Sequence, residues 1–136
     1  MPLTLTITEG VIPAEKLAQA IEELTHSMLE VHGLTGNAVM TPNITANLHV
    51  LSEDQTFSGG KPFKGAWVEW KVPAFAFADR QIQVQYFKQA TDIVERLSGH
   101  NQPRDNIYVN VVHAVDGAWN FNGVAMTNEE IGQAIS

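Results

Sequence analysis

The sequence contains no cysteine, which excludes disulfides, thiolate metal ligands and a cysteine nucleophile and suits a reducing compartment. Positive charge is scarce: 8 lysines and arginines face 15 aspartates and glutamates, for a net charge of −7. Those cations form no basic run, so the footprint of a nucleic-acid-binding or anionic-membrane surface is missing. No basic region followed by a long apolar segment opens the chain, and no stretch has the length and apolarity of a membrane span. The expectation is a cytoplasmic protein with neither nucleic acid nor membrane as partner. His26, His32, His49, His100 and His113 show no H-E-x-x-H or comparable spacing, so neither a metal nor a cofactor is expected. Ser58-Gly59-Gly60-Lys61 lacks the full phosphate-loop pattern and a following helix, which argues against nucleotide binding.

What remains is a chain of 136 residues, 44% hydrophobic and 17% charged, a composition that folds around one ordinary core. Pro2 through Thr8 alternates Leu3, Leu5 and Ile7 with threonines, the pattern of a strand with one buried face. Glu9-Gly10 turns the chain. From Pro13 the period changes: Leu17, Ala20, Ile21, Leu24, Met28 and Val31 form a helical stripe that stops before Gly33. A second strand is expected from Ile44 to Leu51, with Ile44, Ala46, Leu48 and Val50 on one face. Residues 53–65 have turn composition and read as a connector. A third strand is expected over 66–77, interrupted by Pro73. Asp79 reads as the N-cap of a second helix carrying Ile82, Tyr86, Ala90, Ile93, Val94 and Leu97 and ending at Gly99. A fourth strand is expected over 107–115, and Thr127-Asn128-Glu129-Glu130 could open a last helical turn.

The layout is β-α-β written twice, an α/β (α+β) arrangement with half-repeats at about 2–52 and 66–115 and a C-terminal segment at 116–136. All of it is expected in a single domain. Crossovers of this length make each strand pair parallel and right-handed, giving a four-stranded sheet with two helices on one face. The other face would lack a cover, so self-association is expected.

Pro2 carries the chemistry. Removing Met1 would turn its amide nitrogen into a secondary amine, and apolar surroundings would hold the pKa of that amine near neutrality, where it can take and return protons. A Met-Pro start, a first strand ending in Glu9-Gly10, a doubled β-α-β unit and a late Trp119-Asn120-Phe121-Asn122-Gly123 segment together resemble the tautomerase superfamily. Within it, Phe87-Lys88 and Val112 to Gly123 resemble the malonate semialdehyde decarboxylase-like branch, which stands beside the 4-oxalocrotonate tautomerases. The resemblance implies a tautomerase (MIF-like) fold, a homotrimer, a small-molecule substrate and Pro2 as general acid and base in an isomerase reaction. That reaction would interconvert keto and enol forms of a small 2-oxo or 2-hydroxy-enoic compound. It also implies Trp119 and Phe121 as pocket walls.

Three departures narrow the activity. Val11 stands where tautomerases of acidic substrates carry an arginine, Ala76 and Ala78 replace an arginine pair, and Ala38 replaces an acidic residue. Decarboxylase, hydratase or dehalogenase activity is therefore the alternative reading, as is an inactive trimeric protein that only binds small molecules. Positive charge for a substrate carboxylate would have to come from Arg80, Lys61 or Lys64, or from Lys71, which lies on a strand and could point either way, with Asn122 or backbone N–H groups to stabilise an enolate. His113 is a candidate proton relay beside the aromatic segment.

Overall fold

The computed structural model describes Met1–Ser136, the whole chain. In chain order the elements are β1 (Pro2–Thr8), α1 (Leu17–Val31), α2 (Met40–Asn43), β2 (Thr45–Leu51), β3 (Phe57–Ser58) and β4 (Lys61–Pro62). There follow β5 (Ala66–Pro73), α3 (Arg80–Leu97), β6 (Ile107–Ala114), β7 (Trp119–Phe121), β8 (Val124–Met126) and α4 (Asn128–Ile135). The main sheet has the order β2-β1-β5-β6. Its outer pairs, β1 with β2 and β5 with β6, are parallel, and the central pair, β1 with β5, is antiparallel. The two β-α-β units thus meet along β1 and β5, and the connector of short hairpin β3-β4 lets the chain cross between them.

Alternation decides which face is covered. Leu3, Leu5 and Ile7 on β1 and Ala66, Val68, Trp70 and Val72 on β5 are all essentially inaccessible. Above them lie Ala20, Leu24 and Met28 of α1 and Tyr86, Ala90 and Val94 of α3. Tyr86 locks this layer: its hydroxyl accepts from Trp70 Nε1 at 2.9 Å and donates to the Leu24 carbonyl at 3.0 Å. One phenol so joins the sheet to both helices, and a buried hydroxyl with both partners met is stabilising where an unpaired one would be costly.

The opposite face is polar. Register places Thr4 beside Asn47 and Glu69, Glu69 beside Asn110, and Thr6 beside His49 and Trp67. The Trp67–Tyr108 stack, 5.8 Å between centroids, with Phe63 edge-on to both rings, gives it an apolar patch, and Val112 beside Lys71 is exposed on it. Further apolar surface lies at the sheet edge. Ala46, Leu48 and Val50 share the helix-side face with Leu3, Leu5 and Ile7, as the alternation predicts, yet Leu48 and Val50 are 41% and 47% exposed.

The third strand is shorter than the expected 66–77, because the chain leaves the sheet at Pro73 and turns through Ala74–Asp79. Helix α1 also begins later than Pro13, after a single 3₁₀ turn over Ala14–Lys16. Asp79 does cap α3, its Oδ1 accepting from the N–H groups of Gln81 at 2.7 Å and Ile82 at 3.3 Å. The Thr127 step opens a full helix, α4, through a reciprocal capping box with Glu130. No helix is long and apolar enough to cross a membrane.

Candidate functional site

Strand β1 begins in a cleft of about 390 Å³ lined by Met1, Pro2, Asn43, Thr45, Trp119 and Asn120. Three separate segments build it. Pro2 pairs with Thr45 at the start of β2. Asn43 is delivered by α2, whose entry is fixed by Asn37: its Oδ1 accepts from the N–H groups of Val39 at 3.0 Å and Met40 at 2.8 Å, and its Nδ2 donates to the Ile135 carbonyl at 2.9 Å. Trp119 and Asn120 come from the β7-β8 hairpin.

That hairpin also explains where the neighbouring candidates go. Asn122 and Gly123 both have positive φ, 51° and 81°, the conformation a tight two-residue hairpin turn demands and the one asparagine and glycine tolerate. Asn122 is therefore a turn apex, while Asn120, which the sequence reading passed over, lines the cleft and accepts from Gly123 N–H at 3.0 Å. Phe121 is buried in the core; Trp119 is half-buried at its margin and forms the cleft wall.

Met1 occupies the inner end of the cleft. Its side chain is 5% exposed, its carbonyl accepts from Thr45 N–H at 3.2 Å and its α-ammonium donates to the Asn43 carbonyl at 2.5 Å. Burial pushes this amine down from its ordinary 8.0 to about 6, since desolvation disfavours the charged form. Burial thus shifts the Met1 amine toward its neutral form.

The cations are distributed unevenly. Lys61 sits on the β3-β4 hairpin, and Lys64 pairs with Glu53 at 3.0 Å near Gly10, beyond the C-terminal end of β1 and so at the opposite end of the strand from Pro2. Lys71 is closer. Leu3 faces Trp70, so the next residue along each strand brings Lys71 beside Pro2, and both belong to the polar face. Arg80 lines a different cavity, between α3 and β6, together with His113. Val11 and Ala76 are buried, at 6% and 1% exposure, and Ala78 is exposed.

Next to this region the turn after β5 is strained. Phe77 has φ of 55°, uncommon for a bulky residue, and is fully buried. Three hydrogen bonds hold the turn: Phe77 N–H donates to His32 Nε2 at 3.0 Å, Gln83 Nε2 donates to the Phe77 carbonyl at 2.7 Å, and His113 Nε2 lies 2.7 Å from the Ala76 carbonyl. Because the Phe77 N–H can only donate, His32 must keep a lone pair on Nε2 and carry its proton on Nδ1, which donates to the Met28 carbonyl at 2.8 Å. Burial lowers the His32 pKa, opposed by that backbone hydrogen bond.

No family model matches the chain, and no curated protein matches it. Solved structures do. A member of the cis-3-chloroacrylic acid dehalogenase family superposes with a TM-score of 0.74 at 14% identity, over 98% of this chain and 90% of that one. A fused 4-OT described as a symmetric trimer gives 0.77 at 11% identity, over 97% and 99%. A protein inactivated by 2-oxo-3-pentynoate gives 0.74 at 16% identity, over 97% and 99%. All three cover nearly the whole chain, so the likeness includes both β-α-β units and the C-terminal segment.

Proposed function

We propose that this chain, which has the fold of the tautomerase superfamily, is a keto–enol tautomerase that uses Pro2 as general base and acid once Met1 is removed. The observation that carries the reading is the position of Pro2. It opens a cleft in which an amine is already held at about 6 by burial, within the range where a proton-transfer group works best at neutral pH.

Excising Met1 would vacate the inner end of the cleft and leave the Pro2 nitrogen facing it. A 2-oxo or 2-hydroxy-enoic substrate bound against Trp119 would present its reacting carbon to that nitrogen. The amine takes the proton from one atom and returns it to the other. The developing enolate oxygen is met by the Thr45 N–H, which loses its Met1 acceptor, and by the Asn120 amide. Lys71, beside Pro2 on the polar face, is the cation of the same chain available to a substrate carboxylate. Arg80 would serve it only if the two cavities communicate, and Lys61 or Lys64 only from a neighbouring copy. His113, within 2.7 Å of the Ala76 carbonyl, lines the Arg80 cavity and not the Pro2 cleft. Water attack needs a strongly polarised substrate, which the neutral residues Val11, Ala76 and Ala78 do not provide. A homotrimer is the proposed assembly, closed head to tail by the apolar edge at Leu48 and Val50.

The test is ketonisation of phenylenolpyruvate by protein whose intact mass shows Met1 removed, with sedimentation expected near three times 14.9 kDa. Pro2→Ala should retain the fold and lose about 10²-fold in kcat/KM. Undiminished activity in that variant would overturn the assignment of the base.

A further inference from the structure

The larger cavity of the molecule shares no lining residue with the Pro2 cleft. It lies between α3 and β6, holds about 480 Å³, and has apolar walls of Phe77, Val84, Phe87 and Val111. That volume is within the range of small-molecule sites. Its polar groups are Arg80, Gln83, Asn110 and His113, and none of the lining residues is acidic.

Arg80 is the one arginine of this chain without a carboxylate partner, a state it shares with Lys16, Lys61 and Lys71 among the lysines. Lys64, Lys88, Arg96 and Arg104 each pair with a carboxylate, as a chain of net charge −7 readily allows. Arg80 pairs with none; its side chain reaches only Gln83 Oε1, at 3.4 Å. The nearest carboxylate in sequence, Asp79, is committed to capping α3. The cavity is also firmly built. Phe77 is held in its strained conformation by His32 and Gln83, and the His113 ring is anchored on the Ala76 carbonyl. Backbone strain maintained by several independent contacts is a feature of ligand sites more than of plain surface.

We propose that this cavity binds a small amphipathic carboxylate, with a ring-sized apolar body against Val84, Phe87 and Val111 and its carboxylate on Arg80. The guanidinium offers the planar donor pair that a carboxylate accepts, and the apolar walls account for the rest of the ligand. The cavity is independent of the Pro2 chemistry and would stand if that chemistry failed.

The experiment is a methyl NMR titration of the full chain with 3-phenylpropanoate, with 3-phenylpropan-1-ol as the uncharged control. The Val84 and Val111 methyl signals should shift and saturate with the acid. Arg80→Gln should weaken the acid by about tenfold, to the level of the alcohol. Val84→Glu, a change at an exposed position, should weaken it too by placing a like charge at the mouth. Pro2→Ala should bind as the natural chain does, whatever its activity in ketonisation. The proposal is overturned if acid and alcohol bind alike to the natural chain, if Arg80→Gln changes nothing, or if the shifts are absent or confined to Thr45 and Ala118 of the Pro2 cleft.

Discussion

The two ends of the sheet are finished in opposite ways. At the C-terminal end of β1, Thr8 donates to the Thr56 hydroxyl at 2.9 Å and accepts from Gly65 N–H at 2.9 Å, while Thr56 Oγ1 donates to the Phe63 carbonyl at 2.6 Å. Gln102 adds bonds to the Lys64 and Asn106 carbonyls. Even a methyl group has no place here, since a Cβ on Gly65 would lie 2.6 Å from the Phe63 ring. None of the groups in this network titrates near neutral pH. At the Pro2 end there are two cavities, a partly buried amine, a half-buried histidine and a bulky residue with positive φ. One end is tied together by satisfied, neutral hydrogen bonds beside a cavity of about 390 Å³ at Thr56 and Phe57; the other carries groups whose state depends on protons. The difference separates stability from chemistry along a single strand.

The largest expected effect tests the hydrogen-bonded end. Thr8→Val keeps the shape of the side chain but leaves the buried Gly65 N–H and Thr56 hydroxyl short of partners, at a cost of about 2–3 kcal/mol. Urea denaturation measures the loss, and 3-phenylpropanoate binding should be unchanged. If binding collapsed with stability, the ends would not be separable.

The next effect tests the Pro2 end by pH. The Met1 amine and His32 both have folded pKa values below their unfolded ones, 8.0 and 6.5, so the unfolded chain binds more protons as pH falls. The neutral amine's contribution is complete above pH 8.0 and is lost as pH falls to about 6. That of His32 is lost below 6.5, where protonation of Nε2 would set its new N–H against the Phe77 N–H. For the unprocessed chain the fall from the amine should be about 1–2 kcal/mol, less than full linkage because the group is partly open to solvent. Denaturation midpoints followed from above pH 8.0 to below 6.5 give the profile, with Thr8→Val running parallel to the natural chain and His32→Asn flattening the acid limb. A flat profile in the natural chain would break the comparison.

The smallest effect sharpens it. Asp79→Ala removes the cap of α3 and should cost about 1 kcal/mol. Because Arg80 is the first residue of that helix, the same change should also weaken 3-phenylpropanoate binding, an effect that a purely local loss of helix stability elsewhere in α3 would not produce.

Much of the architecture was legible in the sequence because its signals are local. Period-two alternation in Leu3-Leu5-Ile7, the helical stripes under Tyr86 and Leu24, and the Asp79 cap each state a backbone preference within a few residues. What was not legible depends on distant partners. The strand expected over 66–77 shows its interruption at Pro73, but the turn that ends it there is held by His32, which follows α1, and His113 of β6. Asn43, Thr45 and Asn120 reach the cleft only because three separated segments converge, and no spacing rule joins them. Asn122 drew attention within the aromatic segment, although Asn122-Gly123 is also a hairpin signal, and the structure uses it as one.

Met1 also sets an order of events. In the folded chain its side chain is covered and its amine is hydrogen-bonded to Asn43, so an aminopeptidase has no extended, solvent-exposed terminus to grip. If Met1 is excised as proposed above, the cut would come before β1 is captured by β2, while the nascent segment is still accessible. A chain that folded first would keep its methionine as a stopper in its own cleft.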